Sequence, residues 1–252
     1  VFSWNARNFM AVEKGEKAVH AVPGGFVLWA GGTKEKPWEE GAFCVRTDEP
    51  EARVNHAWFR GGWFDDLTLA WKDVEEGACY GRPPVSEGLP SPGATVFVPF
   101  SLAAGATKAI VVRLSWYVGS SHLRLGDDPE DNEPVGERRY RPWYAKRYSG
   151  IEEASESWRT SYASLREKTA RFSDCFHDQT LPPEIVEAVA ANLTILKSPT
   201  VMRQADGRLW SWEGCGDSWG CCHGSCTHVW NYAQAVPHLF PSLERTLRET
   251  EF

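Results

Sequence analysis

The sequence predicts a mixed fold in two domains, an antiparallel β-sandwich followed by a helical region. Residues 1 to about 145 contain short runs rich in Val, Phe, Trp and Thr, separated by Gly and Pro, which is typical of strands. From Gly150 onward, apolar residues recur every three or four positions, which is typical of helices. The length of 252 residues is sufficient for two domains of ordinary size.

The strands of the first domain are predicted at four runs. In the last run, apolar residues alternate with others, as in a half-buried strand, and place Ile110, Val112, Leu114 and Trp116 on one face. Several such strands in series favour an antiparallel sandwich. The runs are GFVLWA (25–30), GAFCVRT (41–47), ATVFVPFSL (94–102) and KAIVVRLSWYV (108–118).

The end of the first domain is predicted to be loop. The segment GSSHLRLGDDPEDNEPVGERR (119–139) is polar and rich in helix and strand breakers. Basic residues cluster in ERRYRPWYAKR (137–147), but the acidic run just before them balances their charge, so we expect a solvated loop. Because the net charge of the chain is −7, we expect neither nucleic acid nor an anionic membrane as a partner.

A long helix follows as a linker. Residues 151–178 contain no Pro, and an apolar stripe runs along them at helical spacing. We therefore place the first domain at residues 1–149, the linker helix at 150–180 and a helical domain at 181–252. The stripe consists of Trp158, Tyr162, Leu165, Thr169 and Phe172.

Three more helices are predicted in the last domain. Pro183 stands where the first turn of a helix tolerates proline, and Ile185, Val189, Leu193 and Leu196 then form one stripe. A turn is predicted at QADG (204–207), and from Val229 onward apolar residues again recur every three or four positions, as in a helix. Because proline breaks helices, Pro237 and Pro241 favour two helices that meet near Phe240.

The sequence contains no recognisable membrane or export signal. No run of 18 apolar residues is present, and VFSWNARNFM lacks the basic and apolar segments of a signal peptide. We expect a soluble protein, either cytoplasmic or exported. The chain begins with Val1 and is still in a helical pattern at Phe252, so we expect a fragment of a longer polypeptide, with both domains truncated.

Thirteen tryptophans are the unusual feature of the composition. An indole ring has an apolar face and a polar N–H, which suits a surface that binds sugars. A core rich in tryptophan is the alternative interpretation, and composition alone does not separate the two.

The stretch WSWEGCGDSWGCCHGSCTHVWNYAQ (210–234) allows several kinds of site. A zinc site would use Cys and His ligands, but no second separated pair completes the spacing of Cys222 and Cys226. The second possibility is a set of disulfides, which need an oxidising compartment. The third is a set of free thiols, in which small Cys and Gly residues allow a tight turn. The metal hypothesis concerns Cys215, Cys221, Cys222, His223, Cys226 and His228.

Two further chemistries are conceivable in this stretch. A cysteine nucleophile would pair Cys226 with His228, but it also needs an orienting group that spacing does not supply. The carboxyl groups of Glu213 and Asp217 fit glycoside hydrolysis, which requires two acids across the scissile bond. A solvated turn acid is the ordinary alternative for Glu213.

Residues 195–252, from ILKSPTVMRQADGRLWSWEG onward, resemble the start of the catalytic domain of glycoside hydrolase family 116. This family contains bile acid β-glucosidase, a non-lysosomal glucosylceramidase, and β-glucosidases of bacteria and archaea. The segments VFSWNARN (1–8) and YAKRYSG (144–150) resemble parts of its N-terminal domain. The resemblance covers essentially the whole chain and is most specific in the last part.

The resemblance implies a β-sandwich joined to an (α/α)6 toroid, and a retaining β-glucosidase or glucosylceramidase. The nucleophile would be Glu213, between Trp212 and Gly214, and the acid/base aspartate would lie beyond Phe252, so the fragment itself would be inactive. We expect no metal and no cofactor, and a β-glucoside or glycolipid-like substrate. The candidate substrate-binding residues are Trp212, Asp217, His228, Trp230, Asn231 and Gln234, with Trp210 and Trp219 as further aromatic candidates.

Two alternatives from other classes stay open. A non-catalytic carbohydrate-binding sandwich would rest on residues 1–145 and the tryptophan content. A zinc-stabilised interaction module would rest on the cysteine-rich stretch and would contain stoichiometric zinc.

Overall fold

The computed structural model of the chain describes residues 1–10, 15–121, 141–198, 200–214, 224, 226 and 229–251, and only the backbone of 230–234. The fold combines antiparallel sheets with several helices, as the sequence predicts in outline. The chain divides into two compact units. Unit 1 comprises Val1–Val118 and Gly150–Arg159, and unit 2 comprises Gly119–Ser149 and Thr160–Phe252.

Unit 1 contains two antiparallel sheets. One sheet has three strands in the order β1-β6-β5, and the other has four strands in the order β2-β3-β4-β7. The predicted runs 25–30 and 41–47 are strands over their full length. The strands are β1 (Phe2–Arg7), β2 (Lys17–Val22), β3 (Gly25–Ala30), β4 (Gly41–Thr47), β5 (Arg53–Asn55), β6 (Gly93–Val98) and β7 (Val112–Tyr117).

A tight turn at Pro23-Gly24 joins β2 to β3, with Val22 opposite Gly25. Gly24 has a φ of 67°, which residues with a side chain rarely adopt. A Cβ at this position would also lie 2.1 Å from the carbonyl oxygen of Thr47. The turn therefore requires glycine, and this fixes the register of β2 on β3.

Both sheets contribute to one hydrophobic core. Phe26 and Val45 come from the four-stranded sheet and Val96 from the three-stranded one, and all three are fully buried. Alternating side chains that meet across two sheets are the expected packing of antiparallel layers. The other buried members of this core are Val19, Leu28, Ala94 and Val98.

One strand departs from its predicted pattern. Ile110, Val112 and Leu114 pack against the core, as the alternation predicts. Trp116, on the same face, is 70% exposed and packs on the ring of Phe43 at a centroid distance of 4.5 Å. The buried residue on β7 is Arg113, whose guanidinium pairs with Asp48 at 2.6 Å.

Two helices were not predicted. Helix α1 (Asp66–Glu75) begins after Asp65, whose side chain accepts a hydrogen bond from the Thr68 N–H, so a local cap starts it inside a region expected to be strands. Helix α2 (Trp143–Arg147) lies in the stretch expected to be a solvated loop. Its Ala145 is buried, which corrects that expectation for residues 143–147.

The helices of the second half agree with the predictions in outline. The helix that was predicted to continue through Leu196 ends at Asn192, and Leu193–Lys197 form a 3-10 helix. Helix α3 (Ile151–His177) is continuous, and α4 (Pro183–Asn192) has Pro183 in its first turn. Helix α5 (Trp230–Leu239) accommodates Pro237, and α6 (Pro241–Glu251) begins directly after Phe240. The proline-induced division near Phe240 is therefore confirmed.

Unit 2 has its own core, formed between a short hairpin and two helices. The hairpin consists of β8 (Val201–Arg203) and β9 (Leu209–Ser211). Val201 and Leu209 of the hairpin pack with Val236 of α5 and Leu247 of α6. The hairpin and α5, which come before and after the cysteine-rich stretch in the sequence, therefore belong to one core.

Residues 141–149 also belong to unit 2, whereas the sequence placed them in the first domain. Pro142 forms a β-bridge with Gln204, and the Ala205 N–H donates to the carbonyl oxygen of Arg141 at 2.8 Å. In addition, the Arg203 guanidinium lies 4.0 Å from the centre of the Trp143 ring. These contacts with the hairpin turn explain the assignment.

Parts of the predicted apolar stripes are exposed, although Leu196 at the end of the second stripe packs against the core of unit 2. Tyr162, Leu165 and Phe172 of α3 are each more than 40% exposed, and Ile185 of α4 is 47% exposed. Within the described residues, no helix has both the length and the apolar composition that crossing a membrane requires.

Candidate functional site

The hairpin of unit 2 positions the predicted nucleophile. Its turn closes through the Gln204 N–H, which donates to the Arg208 carbonyl oxygen at 2.8 Å. Gly207 supplies the positive φ of 103° that this turn needs. Asp206 accepts a hydrogen bond from the Arg208 N–H at 2.9 Å, so the turn residues QADG act as predicted.

Trp212 continues the hairpin by one residue. Its backbone N–H donates to the Thr200 carbonyl oxygen at 2.9 Å. Its side chain is 1% exposed and meets the Trp210 ring edge to face, with the centroids 6.3 Å apart. Both rings therefore serve as core residues here, and their predicted contact with sugar remains a prediction.

Two hydrogen bonds close the base of the cysteine-rich stretch. The Cys226 N–H donates to the Ser211 carbonyl oxygen at 3.0 Å. The Ser211 hydroxyl donates back to the Cys226 carbonyl oxygen at 2.9 Å. Ser211 and Cys226 are both buried, so these bonds are shielded from water. Ser211 and Cys226 are therefore held against each other by two hydrogen bonds.

Glu213 lies directly beyond this closure. It is exposed, in contrast to its neighbour Trp212, and it belongs to a bend after β9. A Cβ added at the neighbouring Gly214 would meet no described atom within 4 Å. The arrangement presents a carboxylate to the surface from a backbone that a buried indole holds in place.

The structure brings some of the other predicted residues toward this hairpin and leaves others undescribed. Trp230, Asn231 and Gln234 belong to α5, which shares a core with the hairpin. Asp217 and His228, and also Trp219, lie outside the described residues.

The metal hypothesis is tested at one position only. Of its six candidates, Cys226 alone is described, and it is 2% exposed. Cys215, Cys221, Cys222, His223 and His228 lie outside the described residues. Zinc, disulfide and free-thiol interpretations of the stretch therefore all stay open.

Sequence reasoning missed the role of Ser211. Its partner Cys226 lies 15 residues away, so no local spacing marks the pair. The position of Ser211 directly before Trp212 is the local feature of the sequence that could have suggested this role.

Comparisons with known proteins add no further information. No protein-family model matches this chain, and no curated protein matches it significantly.

Proposed function

We propose that this chain is part of a retaining β-glucosidase or glucosylceramidase-like glycoside hydrolase, with Glu213 as its nucleophile. Unit 1 would be the β-sandwich, and helices α4 to α6 would be the first helices of an (α/α)6 toroid. The substrate would be a β-glucoside or a glycolipid carrying one. The proposal rests on the resemblance described for residues 195–252.

One observation on the structure supports the choice of Glu213. Its side chain is exposed, while the neighbouring Trp212 is buried and hydrogen-bonded through its backbone to Thr200. A nucleophile must reach the substrate from a backbone that does not move, because small displacements reduce the rate strongly. Glu213 meets both requirements.

The proposed reaction has two steps. A carboxylate oxygen of Glu213 attacks the anomeric carbon, and the bond to the leaving oxygen breaks as an aspartate elsewhere in the polypeptide protonates that oxygen. The same aspartate then removes a proton from water, which attacks the anomeric carbon and releases Glu213. Retaining enzymes hold the two carboxyl groups about 5–5.5 Å apart.

The first test is kinetic and uses the longest polypeptide that contains this chain. Glu213→Gln should lower the hydrolysis of an aryl β-glucoside by about a thousandfold or more, because glutamine cannot form the glycosyl ester. Glu213→Gly should recover activity with azide and release a glucosyl azide of inverted configuration. Glu249→Gln, a change to an exposed acid of α6, is the matched control and should leave the rate unchanged.

A Glu213→Gln enzyme with wild-type turnover would contradict the proposal. The 252-residue chain alone should not hydrolyse the substrate, because the proposed acid/base lies outside it. Turnover by this chain would contradict that assignment.

A further inference from the structure

Unit 1 contains a pocket that the proposed reaction does not use. It has a volume of about 560 Å³ and lies between the segment after β5 and the loop before β6. Trp58, Phe59 and Leu89 form its apolar walls, and Arg60 and Arg82 also line it. Pockets that bind small molecules have volumes of about 300–1,000 Å³, so one sugar ring fits.

Arg60 is held in place by backbone atoms. Its Nη1 donates to the carbonyl oxygen of Leu89 at 2.6 Å and to that of Glu87 at 3.1 Å. Both bonds use the same nitrogen, and the donors on Nε and Nη2 form no hydrogen bond with the part of the chain that the structure describes. The guanidinium is thereby oriented without being neutralised.

Arg82 is held by an aromatic ring. Its guanidinium lies 4.7 Å from the centre of the Tyr80 ring. Tyr80 is itself fixed, since its hydroxyl donates to Asp73 and accepts from the Asn55 side chain at 3.2 Å. A backbone bond from the Arg82 N–H to the Val54 carbonyl oxygen, 3.0 Å long, anchors the residue to β5.

Neither arginine forms an ion pair with any residue that the structure describes. Four other arginines of unit 1 do so and one, Arg53, does not. The pairs are Arg7 with Asp66, Arg46 and Arg159 with Glu156, and Arg113 with Asp48. In a chain with a net charge of −7, two oriented and uncompensated guanidinium groups on one pocket are unexpected. Guanidinium groups bind carboxylate and sulfate through paired hydrogen bonds, which makes them suited to an anionic ligand.

We propose that this pocket binds an acidic sugar, a pyranose ring that carries a carboxylate. The carboxylate accepts hydrogen bonds from Arg60 and Arg82, and the C–H face of the ring packs on Phe59 and Leu89. Phe59 is partly exposed and Leu89 is 69% exposed, so both offer contact area. This binding site does not depend on the proposed hydrolase activity.

Isothermal titration calorimetry with D-glucuronate tests the proposal on the 252-residue chain. Wild type should bind glucuronate, and it should bind D-glucose, which lacks the carboxylate, at least about tenfold more weakly. Arg60→Gln and Arg82→Gln should each weaken glucuronate binding by about tenfold or more. Arg53→Gln is the matched control, because Arg53 is also exposed in unit 1 and also donates to a backbone carbonyl, that of Cys79, but lies outside the pocket.

Circular dichroism of each variant establishes that unit 1 remains folded. Because Arg60→Gln also removes a loop contact, Arg60→Lys, which keeps the charge, should retain more affinity than Arg60→Gln. Equal binding of glucose and glucuronate, or unchanged binding in both glutamine variants, would overturn the proposal. Inorganic sulfate that binds as tightly as glucuronate would overturn the assignment of a sugar.

Discussion

The two units differ in how they hold the residues that we propose to be functional. In unit 1, strands from distant parts of the chain pair, as β1 does with β6, and the pocket with Arg60 and Arg82 is formed by the segments after β5 and before β6. In unit 2, Glu213 depends on a hairpin of two three-residue strands and on the bonds between Ser211 and Cys226. The proposed binding pocket thus adjoins a multi-stranded sheet, whereas the proposed nucleophile follows a short hairpin that two hydrogen bonds close.

The largest expected change in stability comes from a substitution in the core of unit 1. Phe26→Ala should lower the free energy of unfolding by about 3–5 kcal/mol, because Phe26 is fully buried between the sheets. The same change at Phe172, which is 46% exposed on α3, should cost less than about 1 kcal/mol. Urea denaturation measures both, and similar losses would contradict the description of the core.

Removal of the Ser211 hydroxyl should have a smaller effect, confined to unit 2. Ser211→Ala leaves the buried Cys226 carbonyl without this donor and should cost about 1–3 kcal/mol. Amide exchange at Trp212 and Cys226 should then accelerate. Thr250→Ala is the control, since its hydroxyl bonds only the Thr246 carbonyl oxygen within α6. Unchanged exchange at both amides would show that the closure does not hold the stretch.

The smallest predicted change in stability concerns Tyr80, whose ring lies against the Arg82 guanidinium in unit 1. Burial, together with the hydrogen bond to Asp73, raises the pKa of Tyr80 to about 12. The folded state therefore retains this proton at pH values where the unfolded chain loses it. The resulting stabilisation is complete below about pH 10, the pKa of an ordinary tyrosine, and disappears as the pH rises toward 12.

Absorbance titration of tyrosinate measures this effect. Tyr80→Phe should remove a component that ionises near pH 12 and should cost about 1 kcal/mol of stability at neutral pH, because its two hydrogen bonds are lost. Tyr162→Phe, a change on the exposed surface of α3, should leave that component in place. A titration in which Tyr80→Phe matches the wild type would contradict the network around Tyr80.

Local patterns predicted much of the fold. Runs rich in Val, Phe, Trp and Thr gave the strands 25–30 and 41–47, and proline positions gave the start of α4 and the boundary at Phe240. Helix α1 was missed because a capping interaction between Asp65 and Thr68 outweighed the strand-like surroundings. Alternation placed Trp116 on one face with Ile110, Val112 and Leu114, but it does not indicate how far the core extends along that face, and Trp116 is exposed.

The candidate sites were less predictable, because they depend on contacts between distant segments. Arg82 reaches the pocket since its backbone pairs with Val54 and His56. The closure of the cysteine-rich stretch similarly joins Ser211 to a residue on the far side of the stretch. Resemblance to a family supplied Glu213, and the structure adds that this side chain is exposed beside a buried tryptophan.

Covalent labelling tests the central claim about Glu213 most directly. The longest polypeptide that contains this chain is incubated with a 2-deoxy-2-fluoro β-glucoside, which traps the glycosyl ester of a retaining enzyme, and its peptides are mapped by mass spectrometry. We predict one added 2-fluoroglucosyl group on Glu213, and none on the Glu213→Gln variant. A label on a different carboxylate, or labelling that persists in Glu213→Gln, would contradict the claim.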